Sequence, residues 1–300
     1  MKLRVVLTFV GMAIWLAVAV TASPATSDRH SSSMSITAED GIMKDCSSMR
    51  VSFDHRNAVV QTEEKTFSKA QANPLRVEAQ SNGGIQVQGW DQDTYSVTLC
   101  KAVAPDDDAN ALLSQIKLNV SGSTVSVTGP HQDNDWAAYV LVRAPKAAML
   151  DVSATNGPMS LYNVSGKLTA HVTNGPVTAK HCDGDMEIAA TNGPITVEEA
   201  SGKQNIHTQN GPITLTLDGT RYNGDGLDVH ATNGPVTVKV PSGFQSGVVI
   251  QSDGHGPFSC RAEVCSQGRK TWDEDVKRIE FGSGPAVIRV STVNGPLAVR

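Results

Sequence analysis

The amino-acid sequence predicts an all-β protein: a single-chain β-solenoid, of the parallel β-helix or β-roll type, with 18-residue coils and a less regular β N-terminal part. The first observation behind this prediction is a four-residue phrase, Thr-Asn-Gly-Pro, that recurs in the second half of the chain. Its copies stand at 155–158, 173–176, 191–194 and 232–235, with Gln-Asn-Gly-Pro at 209–212. From Asn156 to Asn210 the interval between copies is 18 residues each time. A short, fixed period of this kind marks stacked structural repeats.

The second observation is period-two alternation inside each repeat. Apolar residues stand at the second and fourth positions past the glycine, as Ile195 and Val197 do after Gly193. The residue between them is a serine or a threonine, and the threonines are Thr178, Thr196, Thr214 and Thr237. Such alternation, with a β-branched hydroxyl residue outside, is typical of a half-buried strand. The other half of the period alternates in the same way, so each repeat is interpreted as two short strands joined by two turns.

The Asn-Gly-Pro phrases supply the turns. Asparagine tolerates a left-handed backbone and its side chain can bond its own chain, while glycine accepts conformations closed to other residues. Proline lacks an N–H group, so it fits where a strand begins. The predicted structural turn residues are therefore Asn156, Gly157, Pro158, Asn174, Gly175, Pro176, Asn192, Gly193, Pro194, Asn210, Gly211, Pro212, Asn233, Gly234 and Pro235.

A single coil of this kind cannot bury its apolar residues, so we expect the coils to stack. Stacking places successive coils about 4.8 Å apart, as in any sheet, and aligns the turn phrases into one column. The predicted core is narrow and filled by Val, Ile, Leu, Met and Ala. Every repeated feature has a sufficient structural reason, and no cofactor is predicted.

The beginning of the chain predicts export. Lys2 and Arg4 precede an apolar run over 5–20, and small residues suit a signal peptidase that cuts after Ala22. A bilayer span needs roughly 20 residues, so residues 1–22 are interpreted as a signal peptide, with an uncleaved anchor as the second interpretation. After cleavage the protein has no membrane span, and we expect it in the periplasm, at the cell surface or outside the cell.

Charge and composition argue against some classes of partner. Removal of residues 1–22 takes away two basic residues and leaves 23 basic and 30 acidic side chains, a net charge of −7. This balance argues against a nucleic-acid binder, which needs a basic face. Aromatic residues make up 5% of the chain, which is little material for a stacking platform for sugars or bases.

The chain divides into four regions. After the signal peptide, residues 23–48 are rich in Ser, Thr and charge and are predicted to be a flexible leader. Residues 49–150 alternate in several segments around an acidic break at 105–115 that favours a short helix, and they are interpreted as irregular β coils that cap the stack. The regular solenoid is predicted over 151–300. Within it, residues 261–281 are polar and lack alternation, so they form either a hairpin or a lateral loop.

The order of these segments resembles a known bacterial family. Ala79–Asp91 is followed by Tyr139–Pro145, which leads into Leu150–Val152 and then into the Asn-Gly-Pro phrases. This order is similar to the exported family called "putative adhesin" and to the head domains of autotransporter adhesins, over roughly residues 50–300. The resemblance implies a β-solenoid and adhesion at the cell envelope, and it offers no catalytic residues. That family more often has another residue after Asn-Gly, so the repeated proline here is a departure.

The cysteines predict one disulfide and leave others open. The chain has five cysteines, an odd count in an exported protein, where disulfides are expected to persist. Cys46 and Cys100 are the favoured pair, since both lie near strands of the N-terminal region. Cys260 forms either a small loop with Cys265 or a buried free thiol in the inward column. Cys182 is left over, and a zinc site is not expected.

The sequence offers two candidate metal sites. His171, His207 and His230 fall in one outward column that Ala189 interrupts, so only two imidazoles become neighbours, whereas zinc takes about four ligands. We interpret these histidines as exposed polar side chains without a ligand. The second interpretation is a surface patch whose histidines titrate. Calcium along the whole stack is not expected, because proline stands where a carboxylate would be needed, but one incidental site at 223–228 stays open.

These observations predict an exported, non-enzymatic module of the cell envelope that binds a partner or serves as structure. The candidate binding face is the column of Thr178, Thr196, Thr214 and Thr237, suited to weak contacts with a glycan or an envelope protein. The terminal coil, which ends at Arg300, is expected to expose a strand edge through which copies self-associate.

Two alternatives remain. One is a carbohydrate-active β-helix, a polysaccharide lyase or hydrolase, which needs two carboxylates, or a carboxylate with Arg or Lys, across a cleft. The other is a self-assembling envelope scaffold. The carboxylates that such an enzyme would use lie in different columns of the stacked repeats: Glu187, Glu198, Glu199 and Asp228.

Overall fold

The fold is all-β, as predicted. The structure is a computed structural model that describes residues 32–36, 41–106, 108–130, 136–253, 256–273 and 276–300. These residues contain one α-helix, α1, at Ala109–Gln115, inside the acidic break. The predicted signal peptide and the leader up to residue 31 lie outside the described residues. No helix in the described ranges is long and apolar enough to cross a membrane.

The strands fall into three groups along the chain. Those before the regular repeats are β1 Ser32–Ile36, β2 Met49–Phe53, β3 Arg56–Asn57, β4 Val59–Ser68, β5 Leu75–Trp90, β6 Thr94–Val103, β7 Lys117–Ser121, β8 Thr124–Thr128 and β9 Trp136–Pro145. Those of the repeats are β10 Met149–Asn156, β11 Met159–Tyr162, β12 Lys167–Asn174, β13 Val177–Lys180, β14 Asp185–Asn192, β15 Ile195–Glu198, β16 Lys203–Asn210, β17 Ile213–Thr216, β18 Gly226–Asn233 and β19 Val236–Lys239. Those that follow are β20 Ser246–Ser252, β21 Phe258–Cys260, β22 Arg269–Trp272, β23 Lys277–Phe281, β24 Ser283–Asn294 and β25 Leu297–Val299.

The repeats build two parallel sheets. The longer strands β10, β12, β14, β16 and β18 pair in sequence order as sheet 1. The shorter strands β11, β13, β15, β17 and β19 pair in the same order as sheet 2. Up to Asn210, each residue lies opposite the residue 18 positions later, so that Leu150 faces Leu168 and Thr178 faces Thr196. The 18-residue period of the sequence therefore sets the strand register of both sheets.

The core lies between the two sheets and consists of columns of like side chains. Ile188 in sheet 1 and Val197 in sheet 2 are each 1% exposed. Full burial of such a side chain contributes roughly 1.5–3 kcal/mol. Gln204 departs from its column, in which the neighbouring repeats have methionine and leucine. Its amide nitrogen donates to the carbonyl oxygens of Cys182 and Ser201, both at 2.8 Å.

Two columns of glycines let successive repeats approach each other. Gly193 has φ +151°, a conformation that L side chains rarely adopt, and a Cβ there would lie 2.1 Å from the carbonyl oxygen of Gly175. At the midpoint of the repeat, a Cβ on Gly184 would lie 2.3 Å from the carbonyl oxygen of Gly166. Each corner therefore needs a residue without a side chain.

The amino-terminal end of the stack is organised by β5, which spans both sheets. Its first part pairs with β10 and its second part with β11. On its other side β5 pairs in parallel with β8 and β9, which come later in the chain. Beyond them, β7 continues sheet 1 and β6 and β4 continue sheet 2, all antiparallel. This end of both sheets is therefore an antiparallel cap.

Residues 41–57, here called the strap, pack on the outer face of sheet 2 at the amino-terminal end. Met43 and Phe53 of the strap join Tyr139 of β9 in a second, smaller core, and each is at most 1% exposed. β2 of the strap pairs antiparallel with β1 and β3. The strap thus buries part of the outer face of sheet 2.

A disulfide fixes the strap. It joins Cys46 to Cys100 of β6, the pair that the sequence analysis favoured. The leader was predicted to be flexible up to residue 48, but the structure packs residues 41–48 against the sheet. The physical reason is the buried apolar side chain of Met43 together with this disulfide.

The last strands of the chain do not form the end of the stack. β24 pairs in parallel with β18 on one side and with β20 on the other. β25 lies in the same way between β19 and β21. The expectation that the terminal coil ending at Arg300 exposes a free edge is therefore corrected. β20 and β21 lie one repeat further out than β18 and β19. The chain then returns, and β24 and β25 occupy the positions between these two pairs of strands.

The segment 261–281 is a hairpin rather than a lateral loop. β22 and β23 are antiparallel to each other, and β23 continues sheet 1 antiparallel to β20. A 3₁₀ turn at Glu263–Ser266 precedes the hairpin, and a disulfide between Cys260 and Cys265 closes this turn. Sheet 1 thus ends in antiparallel strands at both ends.

The glycine columns give a first prediction. We expect Gly193→Ala to destabilise the protein by about 3 kcal/mol or more, because the new Cβ meets backbone atoms and the φ angle is strained. Gly219→Ala is the matched control, since Gly219 has φ +60° and no atom within 4 Å of its Cβ position, so alanine costs only about 1 kcal/mol there. Urea unfolding measures both free energies. Equal losses would show that the corner is not close-packed.

A buried ion pair makes the amino-terminal cap sensitive to acid. The Lys101 side chain is 8% exposed, and its Nζ lies 2.7 Å from a carboxylate oxygen of Glu63. Burial alone would raise the pKa of Glu63, but the hydrogen bond and charge of Lys101 lower it, on balance, below its ordinary value of 4.5. Because the folded pKa lies below the unfolded one, the stabilisation is present above pH 4.5 and is lost as the pH falls through the folded pKa.

We therefore expect Glu63→Gln to lower the free energy of unfolding at neutral pH by about 1–3 kcal/mol, since the Lys101 ammonium stays buried without its charge partner. The variant should also lose part of the destabilisation that the wild type shows in acid. Thermal unfolding at neutral and acidic pH measures both effects. Asp151→Asn, which removes an exposed pair with Arg76, is the control, with a change below about 1 kcal/mol. An acid dependence that is the same in all three proteins would contradict the prediction.

Candidate functional site

The candidate binding residues form a continuous line on sheet 2. Thr178, Thr196, Thr214 and Thr237, here called the threonine row, lie directly opposite one another. Each is partly exposed, because the residues on either side of it in the strand face the core. Successive hydroxyl groups are therefore about 4.8 Å apart. A hydroxyl both donates and accepts, so the row presents a regular line of hydrogen-bonding groups to solvent.

The surroundings of the threonine row carry few charged residues. Two residues past Thr178 and Thr196, Lys180 and Glu198 lie opposite each other, with 2.9 Å between Nζ and a carboxylate oxygen. Toward the carboxyl-terminal end, Ala298 continues the row after Thr237. In the same column, Lys239 lies opposite Thr216 beside Thr237. This face is therefore flat and polar, with one ion pair beside Thr178 and Thr196 and a lysine beside Thr237.

The strap closes the other end of the row. Ser160 and then Gln86 continue the row in that direction. Gln86 is 2% exposed, and its amide oxygen and nitrogen bond the backbone N–H and carbonyl of Met43, both at 2.9 Å. The Tyr162 hydroxyl donates to the carbonyl oxygen of Gly41 at 3.0 Å. The accessible part of the face therefore begins near Thr178.

The asparagines of the turns form a side-chain ladder. In each rung Nδ2 donates to Oδ1 of the asparagine in the neighbouring repeat, at 2.8–3.0 Å. The ladder consists of Asn156, Asn174, Asn192, Asn210, Asn233 and Asn294. This corrects the expectation that these side chains bond their own chain on a left-handed backbone. Within the repeats, described non-glycine residues with a left-handed backbone lie at the other corner: Asn163, His181 and Glu199.

The glycine and proline of each turn also connect neighbouring repeats. The N–H of Gly193 donates to the carbonyl oxygen of Asn210 at 3.0 Å, and the N–H of Ile195 donates to that of Pro212 at 2.9 Å. The exposed proline ring needs no donor at this position. All three residues of the turn phrase therefore hold repeats together and leave the chemistry of the surface to their neighbours.

The ladder gives a third prediction about stability. We expect Asn192→Asp to destabilise the protein by about 1–2 kcal/mol, because the variant has no N–H to donate to Asn174 and places a charge beside an acceptor. Thr191→Val, at the exposed neighbouring position, should change stability by less than about 0.5 kcal/mol. Thermal unfolding compares the two. A smaller loss for Asn192→Asp than for Thr191→Val would show that the ladder does not stabilise the corner.

Sheet 1 carries a second column of interest. His171, Ala189, His207 and His230 lie opposite one another in that order, as the period predicts. Nδ1 of His230 lies 2.9 Å from the Ser291 hydroxyl. A depression of about 410 Å³ opens over Ala189. Among the described residues, which include 223–228 and the cysteines, no group of three or more potential ligands is placed to hold a metal.

A cavity of about 760 Å³ lies beside the hairpin and was not predicted. Phe244 and Phe281 line it together with Arg269, Arg278 and Glu280. The hydrogen bond from Arg269 lowers the pKa of Glu280, burial opposes this, and Arg278, whose Nε donates at 2.6 Å, adds to the lowering. Arg269 and Glu280 meet through antiparallel pairing across the hairpin, for which the sequence has no periodic signal.

The remaining cysteine is not available for chemistry. Cys182 is buried and unpaired, and burial raises the pKa of its thiol to about 11. The thiolate is the reactive form, so this side chain is inert at neutral pH. Cys260 is in a disulfide, so the small loop rather than the free thiol is the alternative that the structure contains.

Neither a protein-family model nor a curated protein sequence matches the chain. Several solved structures are similar to it at low identity. A "putative cell adhesion protein" from Clostridium sporogenes shares 11% identity over 80% of this chain and 99% of its own, with a TM-score of 0.32. A "putative adhesin" from Bacteroides fragilis shares 9% over 80% and 97%, with a TM-score of 0.32. A "putative lipid binding protein" from Parabacteroides distasonis shares 9% over 80% and 97%, with a TM-score of 0.36. Likeness at this level does not carry either named activity over to this chain.

Proposed function

We propose that this chain is an exported, non-enzymatic β-solenoid that acts as a binding module of the cell envelope, an adhesin-type protein. The observation that carries the proposal is the threonine row, a line of in-register hydroxyl groups on a flat, partly exposed sheet face. Such a face makes many weak hydrogen bonds at a fixed spacing. It suits an extended or repetitive partner better than a small molecule.

Several features support the solenoid. Register repeats every 18 residues from Asn156 to Asn210 in both sheets. The glycine columns and the asparagine ladder repeat at the two corners. Each repeat contributes one strand to each sheet, which is the arrangement that a winding chain produces.

The engagement of two of the four candidate carboxylates, Glu198 and Glu199, supports a non-enzymatic role. Glu198 is paired with Lys180, and a carboxylate oxygen of Glu199 lies 2.8 Å from Nε2 of His181. A glycoside hydrolase needs two carboxylates that flank one bond, roughly 5–9.5 Å apart. These side chains instead hold neighbouring repeats together, which weighs against the lyase or hydrolase alternative.

The proposed partner is a glycan or a protein of the envelope. A hydroxyl row without net charge matches the hydroxyl groups of a polysaccharide, which also donate and accept. Weak contacts repeated along one axis add up when the partner is a polymer. No nucleic acid, membrane or cofactor is part of the proposal, in line with the net charge of −7 after removal of residues 1–22.

The ends of the stack favour a binding module over a self-assembling scaffold. A scaffold that continues the stack in the register of its repeats needs open parallel edges. An antiparallel edge strand can also pair with another chain, but the edge strand β4 carries Glu63, Glu64 and Lys65, and charged side chains on an edge resist such pairing. Antiparallel strands cover both ends of sheet 1 and the amino-terminal end of sheet 2. At the other end of sheet 2, β21 has three residues, and short edge strands resist pairing with another chain.

The test removes hydroxyl groups without changing shape. We expect the double variant Thr196→Val and Thr214→Val to bind purified cell-envelope polysaccharide about tenfold more weakly, or worse, than the wild type. The matched control is Thr155→Val with Thr169→Val on sheet 1, which should bind as the wild type does. Sedimentation with the insoluble polysaccharide measures binding, and light scattering checks that every protein is monomeric. Equal binding by the two variants, or no binding by the wild type, would refute the proposed face.

A further inference from the structure

The imidazole column on the outer face of sheet 1 lacks one rung. His171, Ala189 and His207 lie opposite one another in three successive repeats. Inward-facing residues flank each of them in its strand, as Ile188 and Ala190 flank Ala189, so all three side chains point away from the core. One repeat of the column therefore has a methyl group where its two neighbours have rings.

The missing rung is a depression with walls. Ala189 is only 9% exposed although it faces outward, so its neighbours rise above it on several sides. The depression has a volume of about 410 Å³ and is lined by His171, His207, Glu187 and Thr191. It is polar at the two ends of the strand and has imidazole rings above and below.

The spacing of the sheet sets the height of the depression. Repeats advance by about 4.8 Å, so the strands that carry His171 and His207 are about 9.6 Å apart. A ring that takes the vacant rung lies about 4.8 Å from each imidazole, within the roughly 4.5–7 Å at which stacked rings pack. One ring fits, and two do not.

The polar walls decide which kind of ring fits. Glu187 and Thr191 lie two residues before and after Ala189 in β14, each about 6.6 Å away along the strand. Both side chains need hydrogen-bond partners when a ligand excludes water from them. A pyranose supplies hydroxyl groups at its edge and C–H groups on its faces, whereas an aromatic hydrocarbon ring leaves both side chains unsatisfied.

The carboxyl-terminal wall is held in place. His207 lies opposite His230 in the next repeat, and Nδ1 of His230 lies 2.9 Å from the hydroxyl of Ser291 one repeat further. The wall is therefore two imidazoles thick and anchored by a hydrogen bond. A preformed wall of this kind lowers the entropy lost when a ligand binds.

We propose that the depression over Ala189 is a saccharide subsite that takes one pyranose unit of a glycan. The ring stacks between His171 and His207, the carboxylate of Glu187 accepts hydrogen bonds from ring hydroxyl groups, and Thr191 bonds the opposite edge. The subsite rests on the proposed function in that the ligand is a glycan. It lies on sheet 1, away from the threonine row.

The test places a histidine at the vacant position of the imidazole column. Ala189→His places an imidazole where three other repeats already accept one, so we expect an intact fold and a saccharide affinity about tenfold lower or worse. Ser153→His is the matched control, since Ser153 lies opposite His171 at the far end of the column and an imidazole there leaves the depression open. Glu187→Gln should weaken binding several-fold while the depression keeps its shape.

The measurement is NMR of the imidazole signals of the full chain, titrated with glucose, galactose and N-acetylglucosamine. We expect at least one sugar to shift the signals of His171 and His207 but not that of His181, in the wild type and in Ser153→His only. Equal responses of Ala189→His and Ser153→His would overturn the subsite, as would the absence of any shift in the wild type. Polysaccharide binding that depends on Thr196 and Thr214, without a response of His171 or His207 to any sugar, keeps the proposed function and overturns this subsite.

Discussion

The approach of backbone to backbone at the Asn-Gly-Pro corner is the constraint on which the rest of the structure depends. A Cβ at Gly193 would lie 2.1 Å from the carbonyl oxygen of Gly175, so only glycine fits at this corner. This contact fixes each repeat against the last one, and the strands that leave the corner inherit the same alignment. The threonine row, the asparagine ladder and the imidazole column are therefore consequences of one packing requirement.

Much of the repeat region could be predicted from the sequence because its contacts are periodic. Alternation around Thr196 gives the strand and its outer face, and the 18-residue interval gives Thr178 and Thr214 as its neighbours. The same reasoning places Ala189 between two histidines. What the period could not give is the role of each side chain, since an asparagine at a corner fits a local turn as well as it fits a ladder.

The ends of the stack could not be predicted, for a different physical reason. Gln86 and Tyr162 bind backbone atoms of the strap, and contacts to backbone leave no pattern in the partner's sequence. The pairing of β24 between β18 and β20 joins segments 61 residues apart across an irregular hairpin. A sequence period shows which segments have the same structure. It does not show the spatial order of strands that lie outside the repeats.

The place of β24 and β25 has a consequence for how the chain matures. A polypeptide that leaves the ribosome amino end first can add β10 to β19 one after another as each segment emerges. The slot between β18 and β20 stays open until β24 arrives, and the slot between β19 and β21 stays open until β25 arrives. A nascent or truncated chain without these strands therefore leaves both slots unfilled. Closure of both slots therefore marks a chain whose synthesis has run through these residues.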